Sequence, residues 1–124
     1  MKLLLKYIIG RWKSLTYAVQ GLWHLITTEA QFKFHFIMAV LTCVLGFVYQ
    51  INSTEWLFQT VIIAIILSAE ALNTAIEKLS DIVEPKYNKI IGHIKDMGAA
   101  GVFIGVLAAI VMVSVIYIPK IFNT

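Results

Sequence analysis

The sequence predicts an all-α membrane protein, with an N-terminal amphipathic surface helix followed by three transmembrane helices. Composition, uncharged runs and the placement of basic residues all point there. The chain is 60% hydrophobic and 14% charged, with a mean hydropathy of +0.84, where a soluble domain holds about 45–50% apolar and about 25% charged residues. Too little polar surface remains to cover a water-facing core. At 124 residues there is room for one domain, 1–124.

Residues 2–28 carry a polar stripe at Lys2, Lys6, Lys13, Gln20, His24 and Thr27, while Leu5, Ile8, Trp12, Leu15, Val19, Leu22 and Trp23 fill much of the remaining circumference. That pattern suits a helix lying in the membrane interface, with basic residues near headgroups and tryptophans at the boundary. The first span, about 34–51, is uncharged apart from His35 near its start. Its length just crosses a hydrocarbon core of about 30 Å. Asn52-Ser53-Thr54-Glu55 is a polar turn in which Ser53 or Thr54 is expected to cap the next helix. The second span, about 56–79, starts at Trp56 and continues through EALNTAIEKLSDIV without glycine or proline until Pro85. The third, about 97–118, is expected to end at Pro119. Gly101 and Gly105 give it one small-xxx-small pair.

Nine of the ten basic residues lie in the N-terminal arm or between spans two and three: Lys2, Lys6, Arg11, Lys13, Lys33, Lys78, Lys86, Lys89 and Lys95. The positive-inside rule then places the N-terminus in the cytoplasm and the C-terminus outside. A net charge of +3, scattered in this way, gives no nucleic-acid surface. Cys43 is alone, so no disulfide framework exists. Lys2 and Lys6 interrupt any apolar signal-peptide core.

The chemistry gathers on the second span. Glu70, Asn73, Thr74, Glu77 and Asp81 recur at i, i+3, i+4, i+7 and i+11, one continuous polar face on an otherwise apolar helix. A carboxylate inside a membrane helix costs a few kcal/mol even on the lenient insertion scale, which makes it a functional candidate by default. The alternative is a polar seam that locks helices together by hydrogen bonds. Glu29 and Glu77 approach the same interface from different helices. Few, hard oxygen ligands suit a Mg²⁺ that keeps most of its water and is shared with phosphates. Lys95-Asp96 heads the third span. No GxxxxGK[ST] or GxGxxG loop is present, and His24, His35 and His93 show no zinc spacing. Residue chemistry by itself reaches an acidic, metal-binding site at the inner leaflet.

Glu29-Ala-Gln-Phe-Lys, EALNTAIEKLSD at 70–81 and Lys95-Asp-Met-Gly together resemble the prokaryotic diacylglycerol kinase family, which includes the undecaprenol kinases. The resemblance covers nearly the whole chain. It implies an ATP-dependent lipid kinase in the inner (plasma) membrane of a bacterium, most simply one that converts diacylglycerol to phosphatidic acid. Position by position it implies Glu70 as general base and Glu29 and Glu77 as metal ligands. Asn73 matches the asparagine of the family motif, Lys95 and Asp96 match nucleotide contacts, and Tyr17 and the turn Lys86-Tyr87-Asn88 match further positions near the nucleotide. It also implies Mg²⁺ with ATP and a homotrimer. His35 is similar to the undecaprenol kinase branch, and Ala99 stands where some proteobacterial members carry serine. Two rival classes are a small ion-coupled transporter with Glu70 as carrier site, and a non-catalytic assembly subunit. The first needs polar groups toward both faces of the membrane, and the second leaves Glu29, Glu77 and Lys95-Asp96 without a role.

Overall fold

The computed structural model describes residues 1–123, and these form four helices and no strand: α1 (Lys2–Thr28), α2 (Ala30–Val48), α3 (Ser53–Val83) and α4 (Lys89–Phe122). The last three are long and apolar enough to cross a membrane. At about 1.5 Å per residue, the 31 residues of α3 and 34 of α4 reach about 46 and 51 Å. Both outlast a hydrocarbon core of about 30 Å. They overshoot at the same end, where α3 becomes charged after Thr74 and α4 is charged up to Asp96.

Helix α1 runs over the whole amphipathic stretch, and none of its residues is buried. A single extended residue, Glu29 (φ −98°, ψ 111°), separates it from α2. The α2–α3 turn is sharper. Gln50 adopts a left-handed backbone (φ 51°). The Ile51 N–H reaches the Gly46 carbonyl at 3.1 Å, and the Gln50 N–H reaches that of Phe47 at 3.3 Å. These two bonds make a Schellman closure, with buried Ile51 as its apolar plug. Gly46 lets the Trp56 indole close over this corner, since a Cβ there would stand 2.8 Å from the ring.

Two local expectations are corrected. The cap of α3 is Asn52, not Ser53 or Thr54. Its Oδ1 accepts from the Glu55 N–H at 2.9 Å, and Glu55 Oε1 accepts from the Asn52 N–H at 3.0 Å, a reciprocal capping box. The glutamate three residues on makes asparagine the better-placed cap. Pro119 does not end α4, which continues to Phe122 and closes with the Asn123 N–H on the Pro119 carbonyl at 3.1 Å. Proline removes one helical donor but leaves its own carbonyl, and membrane helices tolerate that loss. Lys120, in this last turn, pairs with Glu55 at 3.3 Å and ties it to the start of α3.

Helix α3 packs chiefly along α4, with Gly105 admitting Ile66 where a Cβ would meet its side chain at 2.9 Å. The α2–α3 and α1–α2 contacts are sparser. Near the far end Ile51, Met112, Ile116 and Tyr117 form the apolar core, flanked by Tyr49, Trp56 and Ile62. A polar knot lies beside it. Tyr117 Oη donates to Gln59 Oε1 and lies 3.2 Å from the Thr42 carbonyl, which also receives Gln59 Nε2 at 3.3 Å. Gln59 and Tyr117 are almost wholly buried. The knot joins α2, α3 and α4 with every side-chain polar atom satisfied.

Total accessible surface is 9390 Å² for 13.9 kDa, against about 6,700 Å² for a compact monomer of that mass. Lipid, further copies of the chain, or both must cover the difference. Breaking the knot tests its part in the fold. Tyr117→Phe strands Gln59 Oε1 and should cost about 1–3 kcal/mol, whereas Tyr117→Phe with Gln59→Leu removes both partners and should recover much of it. Thermal unfolding in a fixed detergent reads the difference; equal losses in both variants would show that packing, not the hydrogen bond, dominates.

Candidate active site

The polar face of α3 is buried at its lipid-depth end. Glu70 is 1% exposed, Asn73 3% and Thr74 7%, so the seam turns toward α2 and α4 rather than toward lipid. Asn73 Nδ2 donates to Glu77 Oε1 at 3.3 Å. Two acceptors on this face have no partner, Glu70 Oε1 and Asn73 Oδ1. A buried acceptor without a donor costs about 1–3 kcal/mol, and two on neighbouring turns make this face a candidate site. The polar knot in the other half of the bundle differs, since each of its side-chain polar atoms has a partner. Opposite Asn73, Gly98 of α4 comes so close that a Cβ would collide with Asn73 Oδ1.

Glu29 reaches this region from the α1–α2 junction. Its Oε1 lies 3.0 Å from Lys78 Nζ, next in sequence to Glu77, and 3.8 Å from His24 Nε2. Hydrogen bonding to Lys78 holds the Glu29 carboxyl below the usual carboxylate range. Because that value is lowered on folding, the pair's contribution is present at neutral pH and is lost as pH falls through the lowered value. Among the described residues, Oε2 of Glu29 and of Glu77 has no hydrogen-bond or ion-pair partner, and no group of three or more His, Cys, Asp or Glu gathers for a metal. Each carboxylate keeps one free oxygen, the hard donor that Mg²⁺ takes when it retains most of its water and shares phosphates.

The neighbouring pair Lys95-Asp96 divides. Lys95 turns to α3 and pairs with Asp81, while Asp96 lines a shallow depression with Tyr87, Lys89, Gly92 and His93. Asn88 caps α4, its Oδ1 accepting the Ile90 N–H at 2.8 Å, and the Lys86 N–H reaches Glu84 at 3.3 Å. Tyr17, on exposed α1, meets none of these groups. So α3 carries Glu70, Asn73 and Glu77 as one cluster, and Glu29 is tied to the same helix through Lys78. The turn residues, Asp96 and Tyr17 stand apart within a single chain.

Residue reasoning missed two neighbours. Lys78 was legible only as a positive-inside charge, although it is next in sequence to Glu77. His35 shows no ligand spacing in the sequence, yet its Nε2 lies 3.6 Å from Glu70 Oε2. The signal was its seven-residue spacing from Thr42, which puts both on one face of α2. Both line an apolar cavity of about 360 Å³ between α2, α3 and α4.

Residues 16–117 match the family model described as prokaryotic diacylglycerol kinase. Over 109 residues the chain is 30% identical to an undecaprenol kinase of Bacillus subtilis (strain 168), covering 88% of this chain and 89% of that protein. It is 26% identical over 99 residues to a diacylglycerol kinase of Escherichia coli (strain K12), covering 80% and 81%. A diacylglycerol kinase of Haemophilus influenzae is 28% identical over 91 residues, covering 73% and 77%.

The close approach at Gly98 gives a direct check on the cluster. Gly98→Ala drives a methyl group into Asn73 and should destabilise by about 1–3 kcal/mol. Gly101→Ala, where a Cβ meets nothing within 4 Å, should stay within about 0.5 kcal/mol. Parallel thermal unfolding of the two variants decides; a Gly98→Ala variant as stable as Gly101→Ala would mean that Asn73 is not held against α4.

Proposed function

We propose that this chain, which belongs to the prokaryotic diacylglycerol kinase family and is a lipid kinase, transfers the γ-phosphoryl group of MgATP to the primary hydroxyl of a membrane lipid, with Glu70 as general base. The observation that carries the assignment is Glu70 Oε1, a buried carboxylate oxygen without a donor. It lies one to two turns deeper than Glu77. Counting about 1.5 Å per residue from Ser53, Glu70 stands about 25 Å along α3 and Glu77 about 36 Å. With a core of about 30 Å, the first falls just inside hydrocarbon and the second just beyond it. A lipid alcohol and a water-borne nucleotide meet across that boundary.

Phosphoryl transfer through a loose transition state asks mainly for alignment and charge neutralisation. Glu29 and Glu77 would hold Mg²⁺ through their free oxygens, and the ion would neutralise phosphate charge. Lys95 and Asp96 would contact the nucleotide, as would the turn 86–88 and Tyr17. Lys95 must then leave Asp81 or share with it. Glu70 accepts the hydroxyl proton as the new oxygen–phosphorus bond forms, and Asn73 braces Glu77 by its hydrogen bond. Each of these groups comes from one chain, yet Tyr17 and Asp96 lie apart from the α3 cluster. That separation, with the uncovered surface, supports a homotrimer in which neighbouring chains complete the site.

The acceptor is proposed as undecaprenol, with diacylglycerol as the second reading. The sequence pattern by itself ranked diacylglycerol first. The 30% identity to an undecaprenol kinase over 88% of the chain reverses that order, and His35 points the same way. Both lipids offer a primary hydroxyl at headgroup depth and leave their tails in the bilayer.

Glu70→Gln keeps the shape but accepts no proton, so transfer from labelled ATP should vanish while MgATP binding survives. Retention of most turnover would remove the base assignment. In matched mixed micelles, wild-type protein should phosphorylate undecaprenol about tenfold faster than diacylglycerol, worth about 1.4 kcal/mol in transition-state binding. The reverse order would select diacylglycerol, and activity on neither would remove both. For the proposed inner-membrane frame, with the N-terminus cytoplasmic and the C-terminus outside, a C-terminal tag should be reached only from outside. A tag reached only from the cytoplasm overturns it.

A further inference from the structure

His35 stands in surroundings that suit a hydrocarbon. It lines the cavity between α2, α3 and α4 beside Phe34, Met38 and Ile66, with its side chain 18% exposed. Leucine or methionine would fill that wall at no polar cost. Instead an imidazole puts Nε2 3.6 Å from Glu70 Oε2. That separation exceeds a formed hydrogen bond but lies within ion-pair reach, and catalytic contacts commonly tighten only when substrate binds. Among the described residues no other side chain of a neighbouring helix pairs with the Glu70 carboxylate.

The contact makes the two oxygens of Glu70 unequal. Oε2 faces the imidazole of α2, whereas Oε1 is buried with no partner. We propose that His35 is a positioning residue, which holds Glu70 by Oε2 so that Oε1 is presented to the hydroxyl of the lipid acceptor. The inference rests on Glu70 as the base and names what aims it. A glutamate has several rotatable bonds, and one fixed contact removes rotamer freedom that would otherwise be lost at the transition state. In the transfer, the hydroxyl proton passes to Oε1, the acceptor oxygen bonds to the γ-phosphorus, and the bond to the departing ADP oxygen breaks. His35 keeps its own proton throughout, donated from Nε2 toward Oε2.

The test sets polarity against packing. In the full-length protein in mixed micelles, His35→Leu and His35→Met match the apolar wall, while His35→Gln keeps an N–H donor near the place of Nε2. The expected result is a kcat about 10- to 100-fold lower for the Leu and Met variants, with KM for MgATP within about twofold and thermal stability at or above that of the parent. The Gln variant should return to within a few-fold of the parent kcat. A purely structural role predicts the opposite order, since glutamine is the poorest fit to this wall. Parent-like kcat in the Leu or Met variant, or equal losses in Gln, Leu and Met, would overturn the proposal. Glu70→Gln run in parallel separates the two levels. An active Glu70→Gln removes the base assignment itself, whereas a silent one beside a fully active His35→Leu removes only the role of His35.

Discussion

The burial of one carboxylate at lipid depth constrains the rest of the molecule. An ionisable group inside a bilayer costs several kcal/mol unless it is turned away from the acyl chains and given polar company. Glu70 is turned inward, 1% exposed, and this orientation fixes the face that α3 presents to α2 and α4. Asn73 and Glu77 follow at helical spacing. Gly98 follows because α4 can close over Asn73 only where it has no Cβ. His35 is half-buried because α2 must pass the same carboxylate.

Two polar clusters sit in the α2–α3–α4 bundle and differ in one respect that bears on function. Gln59, Tyr117 and the Thr42 carbonyl satisfy one another completely. Glu70 and Asn73 each keep a buried acceptor without a donor. Fold stability favours the first arrangement and penalises the second by about 1–3 kcal/mol for each vacant acceptor. In the proposed mechanism the acceptor hydroxyl would supply a donor to Glu70 Oε1 and regain part of that cost. The unsatisfied end also lies where α3 and α4 emerge from the core toward the charged turn, and the satisfied end lies where Lys120 and Glu55 close the bundle. The bundle is thus pinned at one end and chemically open at the other.

The architecture was legible in the sequence because membrane helices announce themselves by uncharged length, and a spacing of three and four puts Glu70, Asn73 and Glu77 on one face without tertiary information. What was illegible depended on contacts between helices. His35 reads as an isolated histidine until α2 is laid against α3. Lys95 and Asp96 read as a unit because they are neighbours, but adjacent helical residues point about 100° apart, so one meets Asp81 and the other the depression beside Tyr87. Lys78 reads as a topology signal until Glu29 lands on it. The two local misreadings have the same origin. Capping at Asn52 and passage through Pro119 are settled by which hydrogen bonds remain to be made, and residue preferences weigh less than that accounting.

The length of α3 joins these observations to catalysis at an interface. A helix of 31 residues is about 46 Å long, some 16 Å more than the hydrocarbon core requires. A span cut to membrane length would end near Leu72, leaving Glu70 at the boundary with nothing above it. The surplus carries Glu77, Lys78 and Asp81 into water on the same rigid rod that holds Glu70 in lipid. In the proposed mechanism one helix therefore sets the distance between Glu70, which would take the hydroxyl proton, and Glu77, which would help neutralise phosphate charge. No loop intervenes, so that distance is set by helical rise, about 10 Å over seven residues, and does not depend on a closing lid. Glycine or proline between Glu70 and Glu77 would bend the rod, and the sequence has neither there. Helix α4 then braces the rod along its length, and α2 brings the His35 imidazole to within 3.6 Å of Glu70 Oε2.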